Sequence, residues 1–415
     1  MQAGAIERIA SVELEDGLTV LTEEMPGVRS AAVGVWVRYG SVHETPEEMG
    51  VAHLLEHMVF KGTRRRSARE IALALERLGG SLDAYTTREH TSYQARVLDE
   101  YLDVALDVLA DLVLDPLLRP EDLELEREVV LEEIATVEDT PDDLVFDLHA
   151  RALWGDHPLG YSILGTRETV SRIGVAELRR AHERGYRARN LIVAAAGNIQ
   201  HAEVVERVAE LFGGRVAGGE PLEVPPPRML EPREERLERA TAQTHVVFGT
   251  QTFGHGDPRR YALALLSNAF GGGMSSRLFQ RVREELGLAY SVYSYQSFYR
   301  EAGVSGVYVG TRHEWADRAV EVIREELARL AREGLTEEEL EDAKGQVKGQ
   351  MVLALESTGA RLHRLAGFAL YGEPFLTVDE LMARVDAVTR DEVAELASEY
   401  FAPERQVILR LGPRT

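Results

Sequence analysis

His53-Leu54-Leu55-Glu56-His57 places two imidazoles and one carboxylate within little more than one turn of helix. At about 100° per residue, positions i, i+3 and i+4 share one face. Two neutral imidazoles so placed can grip one divalent metal, and the carboxylate between them can take a proton from water that the metal activates. The flanks, Gly50-Val51-Ala52 and Met58-Val59-Phe60, are apolar enough to bury the helix, and buried imidazoles need partners. A metal would satisfy both. Two packed histidines on an ordinary core helix are the plainer alternative.

A catalytic zinc takes three protein ligands and keeps one position open. The chain has no Cys, so the third donor has to be a distant His, Asp or Glu. The acidic stretch from Glu121 to Val137 reads at first as a solvated helix face. With Glu126 at 0°, a helix puts Val129 at about 300°, Val130 at about 40°, Glu133 at about 340° and Val137 at about 20°. Glu132, at about 240°, and Glu128, at about 200°, point elsewhere. Glu126 and Glu133 therefore fall inside an apolar stripe, where a carboxylate is costly unless it is paired or binds a metal. Helical phase selects Glu133 over Glu132 as the ligand, with Glu126 as a supporting carboxylate.

The 415 residues are too many for one ordinary core and predict two domains. No apolar run approaches the ~18 residues that span a bilayer, and Met1 to Arg8 lack the basic-then-apolar pattern of a signal peptide. The absence of Cys excludes disulfides and thiolate metal sites and fits a reducing compartment, so the expected location is cytoplasmic. A net charge of −23 argues against a nucleic-acid surface and suits attraction of basic peptides. Turn-formers gather from Gly213-Gly214 through Gly218-Gly219-Glu220-Pro221 to Pro225-Pro226-Pro227, which reads as a linker. The division is an N-terminal metal-binding domain over 1–214, a linker over 215–231 and a C-terminal domain over 232–415. The two parts look like distant repeats. Ala31 to Val37 and Thr244 to Gly249 both read as strands, and Val51 to His57 can be laid over Ala262 to Asn268. In that overlay Ala264, Ser267 and Asn268 stand where the metal-site residues are, so the second part keeps a fold and loses the metal.

The order His-x-x-Glu-His, reversed relative to the commoner zincin motif, with Glu133 downstream, resembles the pitrilysin-type metallopeptidases of family M16. Within them it is similar to the branch of the mitochondrial processing peptidase and its bacterial relatives. The resemblance is carried by the segments Gly50 to Thr63, Gly79 to Thr86, Glu126 to Glu133 and Gly271 to Phe279, and it spans nearly the whole chain. It implies an α+β fold of two homologous α/β domains, each a mainly antiparallel sheet packed with helices. It implies one Zn2+ per chain on His53, His57 and Glu133, with Glu56 as general base. The activity implied is zinc-dependent endopeptidase cleavage of short or unfolded peptides in a closed chamber. Asp143 and Asp147, i and i+4 on what reads as a continuation of the Glu133 helix, match acidic positions that hold a substrate arginine in processing peptidases, which gives an expected preference near basic residues. Phe60 falls where the family lines the pocket just past the scissile bond.

In Gly271-Gly272-Gly273-Met274-Ser275-Ser276-Arg277 the glycines allow close backbone approach, but the Gly-Lys-Ser or Gly-Lys-Thr ending of a phosphate loop is missing. Arg283 and Tyr290, seven residues apart, have the separation of an Arg and a Tyr that contact bound peptide in the family. A tyrosine hydroxyl could also donate to the oxyanion at the scissile carbonyl. In the family's short-chain branch two subunits close around one chamber, so the resemblance implies a homodimer, with Arg283 and Tyr290 completing the site of the opposite subunit. Substrate is expected to add as a strand along the sheet edge at Leu82-Asp83-Ala84-Tyr85, with Ala84 among its contacts. Asp83 departs from the pattern: many relatives have Asn there, and an ionised Asp accepts hydrogen bonds but cannot donate as an amide does. A non-catalytic peptide-binding or scaffold subunit, or an active subunit needing a different partner chain, stays open as an alternative.

Overall fold

The computed structural model describes residues 7–216 and 218–414. The leading residues 1–6, part of the stretch read for a signal pattern, and Ala217 of the linker lie outside the described residues. The strands are β1 (Arg8–Glu13), β2 (Thr19–Glu24), β3 (Ser30–Val37), β4 (Ser81–Thr86), β5 (Thr91–Leu98), β6 (Leu191–Gly197), β7 (Glu234–Glu238), β8 (Thr244–Thr252), β9 (Ala289–Phe298), β10 (Gly303–Thr311) and β11 (Val407–Gly412). Among the described residues they form two sheets, ordered β1-β2-β6-β3-β5-β4 and β7-β11-β8-β10-β9. Both are mainly antiparallel, and each carries one parallel pair, β2 with β6 and β7 with β11. Dropping β1 makes the two orders superimposable in sequence of appearance, so the repeat read from the chain is a repeat of topology. The helix Val51–Val59 follows β3 as the helix Arg260–Gly271 follows β8.

β3 reads as an almost unbroken apolar run because both faces of its sheet are covered. On one face Val33, Val35 and Val37 pack with Leu54, Leu55 and Met58 of the Val51–Val59 helix, with Leu106 and Leu109, and with Leu178. On the other, Ala32 and Trp36 join Leu21, Ile192, Ala194 and Ala196 against Leu362, Leu365, Ala366 and Leu370 of the helix Thr358–Tyr371. That helix comes from the far end of the chain. Two ion pairs and a hydrogen bond tie it down: Arg361 bonds the buried Glu23, Arg364 Nη1 lies 2.6 Å from Glu7, and Arg38 donates to the Ala369 carbonyl at 2.6 Å. Burial raises the Glu23 carboxyl while Arg361 pulls it down.

The second sheet is built the same way. Val246 and Phe248 of β8 pack with Leu263, Leu266, Ile323 and Leu396. The helix Pro141–Trp154, from the first part of the chain, belongs with this sheet: Phe146 stacks on Tyr308, and His149 Nε2 lies 3.1 Å from the Val407 carbonyl. The chain thus forms two compact units, 1–134 with 161–224 and 354–375, and 135–160 with 225–353 and 376–415. The change near residue 224 lies within the linker, but the transfer of 135–160 and 354–375 is absent from a division into contiguous stretches 1–214 and 232–415. Asp143 and Asp147 are likewise not on a continuation of the Glu133 helix. That helix ends at Glu138, and Pro141 opens a new one at its first position. A proline ring disfavours helical geometry in the residue before it, and Thr140 has ψ 87°.

His149 gives this unit a measurable pH response. It is 2% exposed, and burial lowers its imidazole to about 4. A base whose folded pKa is depressed contributes its stability above about 6.5 and loses it as pH falls toward the folded value. The expected loss between pH 6.5 and 4 is on the order of 3 kcal/mol from this residue. Urea unfolding of the protein and of His149→Gln at pH 7 and pH 4.5 checks it: the variant should show a flatter pH dependence, and equal slopes would refute the assignment.

Candidate metal centre

The helix Val51–Val59 buries Val51, Ala52, Leu54, Leu55, Met58 and Val59 against the first core and leaves its polar residues on the remaining face. The His53 and His57 rings lie 4.7 Å apart between centroids, at 67° to each other. The helix Pro120–Glu138 supplies the facing carboxylates. Its buried residues are Leu123, Glu126, Val130 and Ile134. Val129, placed in the apolar stripe by helical phase, is instead 45% exposed, so the buried face is centred closer to Val130. The distinction between the two glutamates survives that shift: Glu132 is exposed and Glu133 half-buried.

Glu133 Oε2 lies 3.5 Å from His53 Nε2 and 3.6 Å from His57 Nε2. Tetrahedral ligation with bonds of about 2.0–2.1 Å sets neighbouring donor atoms about 3.3–3.4 Å apart, so these separations already approach the edges of a zinc tetrahedron. Among the described residues, His53, His57 and Glu133 are the group of three whose donor atoms converge, all within 4.8 Å. Burial, with His57 beside it, lowers the His53 imidazole to about 3. A neutral ring keeps the lone pair that a ligand needs. On the far side of His57, Nδ1 lies 3.2 Å from Glu126 Oε2, and Glu126 Oε1 lies 2.5 Å from Lys61 Nζ. A carboxylate that accepts from Nδ1–H turns Nε2 toward the metal. The donor set therefore fits a divalent zinc.

Glu56 lies on the same helix but is not one of the converging three. Its Oε2 accepts a hydrogen bond of 2.6 Å from Thr86 Oγ1, at the end of β4. Burial raises the Glu56 carboxyl above its ordinary range, against the pull of Thr86 and His57 and with a push from Glu133. A carboxylate whose pKa is raised is a better proton acceptor for catalysis.

The other expected residues lie as follows. Phe60 caps the C-terminal end of the site helix, packed on the core with its ring 6.2 Å from Tyr93. Ala84 is half-buried and Asp83 exposed on β4, which ends its sheet and pairs with β5. In the second unit, Phe279–Glu285 runs as a π-helix, a form often found at functional positions. The Arg283 guanidinium lies 4.6 Å from the Phe279 ring centre and 4.5 Å from that of Tyr290, which is 78% exposed. Asp143 is exposed and Asp147 half-buried on the Pro141–Trp154 helix.

Three residues of the site were not anticipated. Lys61 lies in the turn just past the end of the site helix and reaches Glu126, a contact between two separate segments that spacing does not carry. Thr86 depends on a strand returning beside the helix, and local sequence does not carry that. Glu44 is buried, and its carboxyl accepts hydrogen bonds from the backbone of Gly50 at 2.9 Å and Ala52 at 2.8 Å.

Residues 19–167 match the family described as insulinase (peptidase family M16), and residues 172–347 match the description peptidase M16 inactive domain. An uncharacterized zinc protease of Streptomyces coelicolor is 42% identical over 98% of this chain and 90% of its own. One of Bacillus subtilis is also 42% identical, over 95% and 96%. Among solved structures, a peptidase M16 inactive domain from Pseudomonas fluorescens superimposes with a TM-score of 0.93 at 22% identity, over 98% of each chain. A protease from Helicobacter pylori does so with 0.90 at 22%, over 99% of this chain and all of the other.

Proposed function

We propose that this chain, which belongs to peptidase family M16, is a zinc endopeptidase that cleaves short or unfolded peptides. Zinc is its cofactor, one per chain. The observation that carries the proposal is the convergence of His53 Nε2, His57 Nε2 and Glu133 Oε2 beside a buried Glu56. The description "inactive domain" falls on residues 172–347, outside that group.

His53, His57 and Glu133 would hold the ion. When bound, zinc supplies a Lewis acid that polarises the scissile carbonyl and acidifies water. Glu56 takes the proton from the attacking water, with Thr86 holding the carboxylate in place, and then delivers it to the leaving amine. Glu126 orients His57 and adds negative charge. The outer edge of β4 receives the peptide as an added strand through backbone hydrogen bonds near Ala84, which makes binding tolerant of sequence. Phe60 lines the pocket just past the cut, and Asp143 and Asp147 hold a basic side chain, for which a guanidinium is well shaped. In a homodimer closing on one chamber, Arg283 would contact the peptide bound to the partner subunit and the Tyr290 hydroxyl would donate to its oxyanion. The compartment proposed is the cytoplasm; among the described residues no helix is long and apolar enough to cross a membrane.

The test is cleavage of a mixed peptide library with bound metal quantified, before chelation, after it, and after zinc return. Chelator-sensitive cleavage restored by zinc is the expected result, and stoichiometric zinc without cleavage would favour a binding subunit or an active subunit that needs a different partner chain. Reversing the charge of Asp143 and Asp147 should lower cleavage of arginine-containing peptides relative to neutral ones; unchanged proportions would remove both residues from the site.

A further inference from the structure

The metal-site helix starts without a cap of its own. Gly50 at its N-cap has φ 92°, a left-handed conformation that favours glycine. A Cβ there would lie 2.6 Å from the Leu164 carbonyl oxygen and 2.9 Å from Gly165 Cα, so no side chain fits. The first backbone N–H groups of a helix must nevertheless be satisfied, the more so when buried. Val51 donates to the Glu48 carbonyl at 2.9 Å. Gly50 donates to Glu44 Oε2 and Ala52 to Glu44 Oε1, so both oxygens of one buried carboxyl are used. Glu44 is itself held in a loop anchored by Arg184, whose guanidinium donates to the His43 carbonyl at 2.9 Å and to the Tyr39 hydroxyl at 2.7 Å.

We infer that Glu44 is a positioning residue for the metal centre: it supplies from outside the cap that Gly50 cannot carry, and so sets the axial position of the nine-residue helix that bears His53, Glu56 and His57. The helix is short, and His53 follows directly after the bonded Ala52 amide. A slide or tilt at this end moves His53 Nε2 relative to Glu133 on a different helix, and ligand distances tolerate only about 0.2 Å. This rests on the reading of His53, His57 and Glu133 as zinc ligands.

The test is Glu44→Gln, nearly isosteric, in which an amide nitrogen replaces one acceptor oxygen and faces a backbone N–H. Zinc affinity is measured by competition with a chromophoric chelator, and site geometry by the visible absorption of the Co2+-substituted protein. The variant, still folded by circular dichroism, is expected to bind zinc about 10–100-fold more weakly and to give an altered cobalt spectrum. Hydrogen exchange in the native protein adds a readout independent of any variant: because coupling is reciprocal, zinc should slow exchange of the Gly50 and Ala52 amides. Unchanged zinc affinity and cobalt spectrum in the folded variant, or amides indifferent to zinc, would overturn the role of Glu44. A native protein that binds no zinc would overturn the metal site itself.

Discussion

Glu56→Gln is expected to bind zinc at the native stoichiometry and to lose turnover by about 10²–10⁴-fold, the range that a positioned proton-transfer group contributes. The substitution keeps size and shape, and the amide oxygen can still accept from Thr86 Oγ1. What it removes is the ability to take and return a proton. The three converging donor atoms belong to other residues, so metal content should stand. Burial raises the Glu56 carboxyl and Glu133 adds to the rise, which means this environment disfavours charge while Thr86 and His57 sustain it. A glutamine relieves that tension, and the variant should unfold no more easily than the native protein. Turnover within a few-fold of native, at equal zinc, would remove Glu56 from the chemistry. A variant that lost zinc along with turnover would make Glu56 part of the ion's support instead.

The parts of this site that could be read in the chain are those whose geometry is local. His53, Glu56 and His57 share a helix, so their common face follows from their spacing alone. The choice of Glu133 over Glu132 also follows from phase, because one residue turns the side chain by about 100°. Val129 is exposed although phase puts it in the apolar stripe, since phase gives relative angles and only packing sets where the buried arc is centred. Asp143 and Asp147 fit an i, i+4 pattern whether or not the helix runs on through Pro141, so their spacing alone does not reveal the break there. Thr86 and Glu44 reach the site through tertiary contacts that no local pattern encodes. The transferred helices are harder again. Thr358–Tyr371 shows an apolar stripe of Leu362, Leu365, Ala366 and Leu370, but nothing in the stripe names the sheet it covers. Its partners Glu7 and Glu23 lie more than 300 residues away. The continuous apolar run of β3 was the available hint, because a strand apolar on both faces needs a second layer that the neighbouring sequence did not supply.

Glu133→Ala should lose both zinc and turnover, and His57→Ala should do the same. The two differ in what they do to the fold, which makes Glu133 the cleaner test. Its side chain is 42% exposed, and truncation at such a position ordinarily shifts stability by no more than about 0.5 kcal/mol. Loss of metal from this variant therefore cannot be blamed on unfolding. His57→Ala, by contrast, leaves Glu126 without its imidazole partner in a buried place, with Lys61 still bonded to its other oxygen. Exposed Glu132, one position earlier, is the control, and Glu132→Ala should keep native zinc and native turnover. The readout is bound metal after dialysis against a weak chelator, paired with thermal unfolding with and without added zinc. A ligand that binds only the folded state stabilises it by about 2.7 kcal/mol at 100 times its dissociation constant. Zinc should thus raise the unfolding temperature of the native protein and of Glu132→Ala, and leave that of Glu133→Ala unmoved. Stoichiometric zinc retained by Glu133→Ala would sink the assignment of the third ligand, and the reading of helical phase that selected it would fall too.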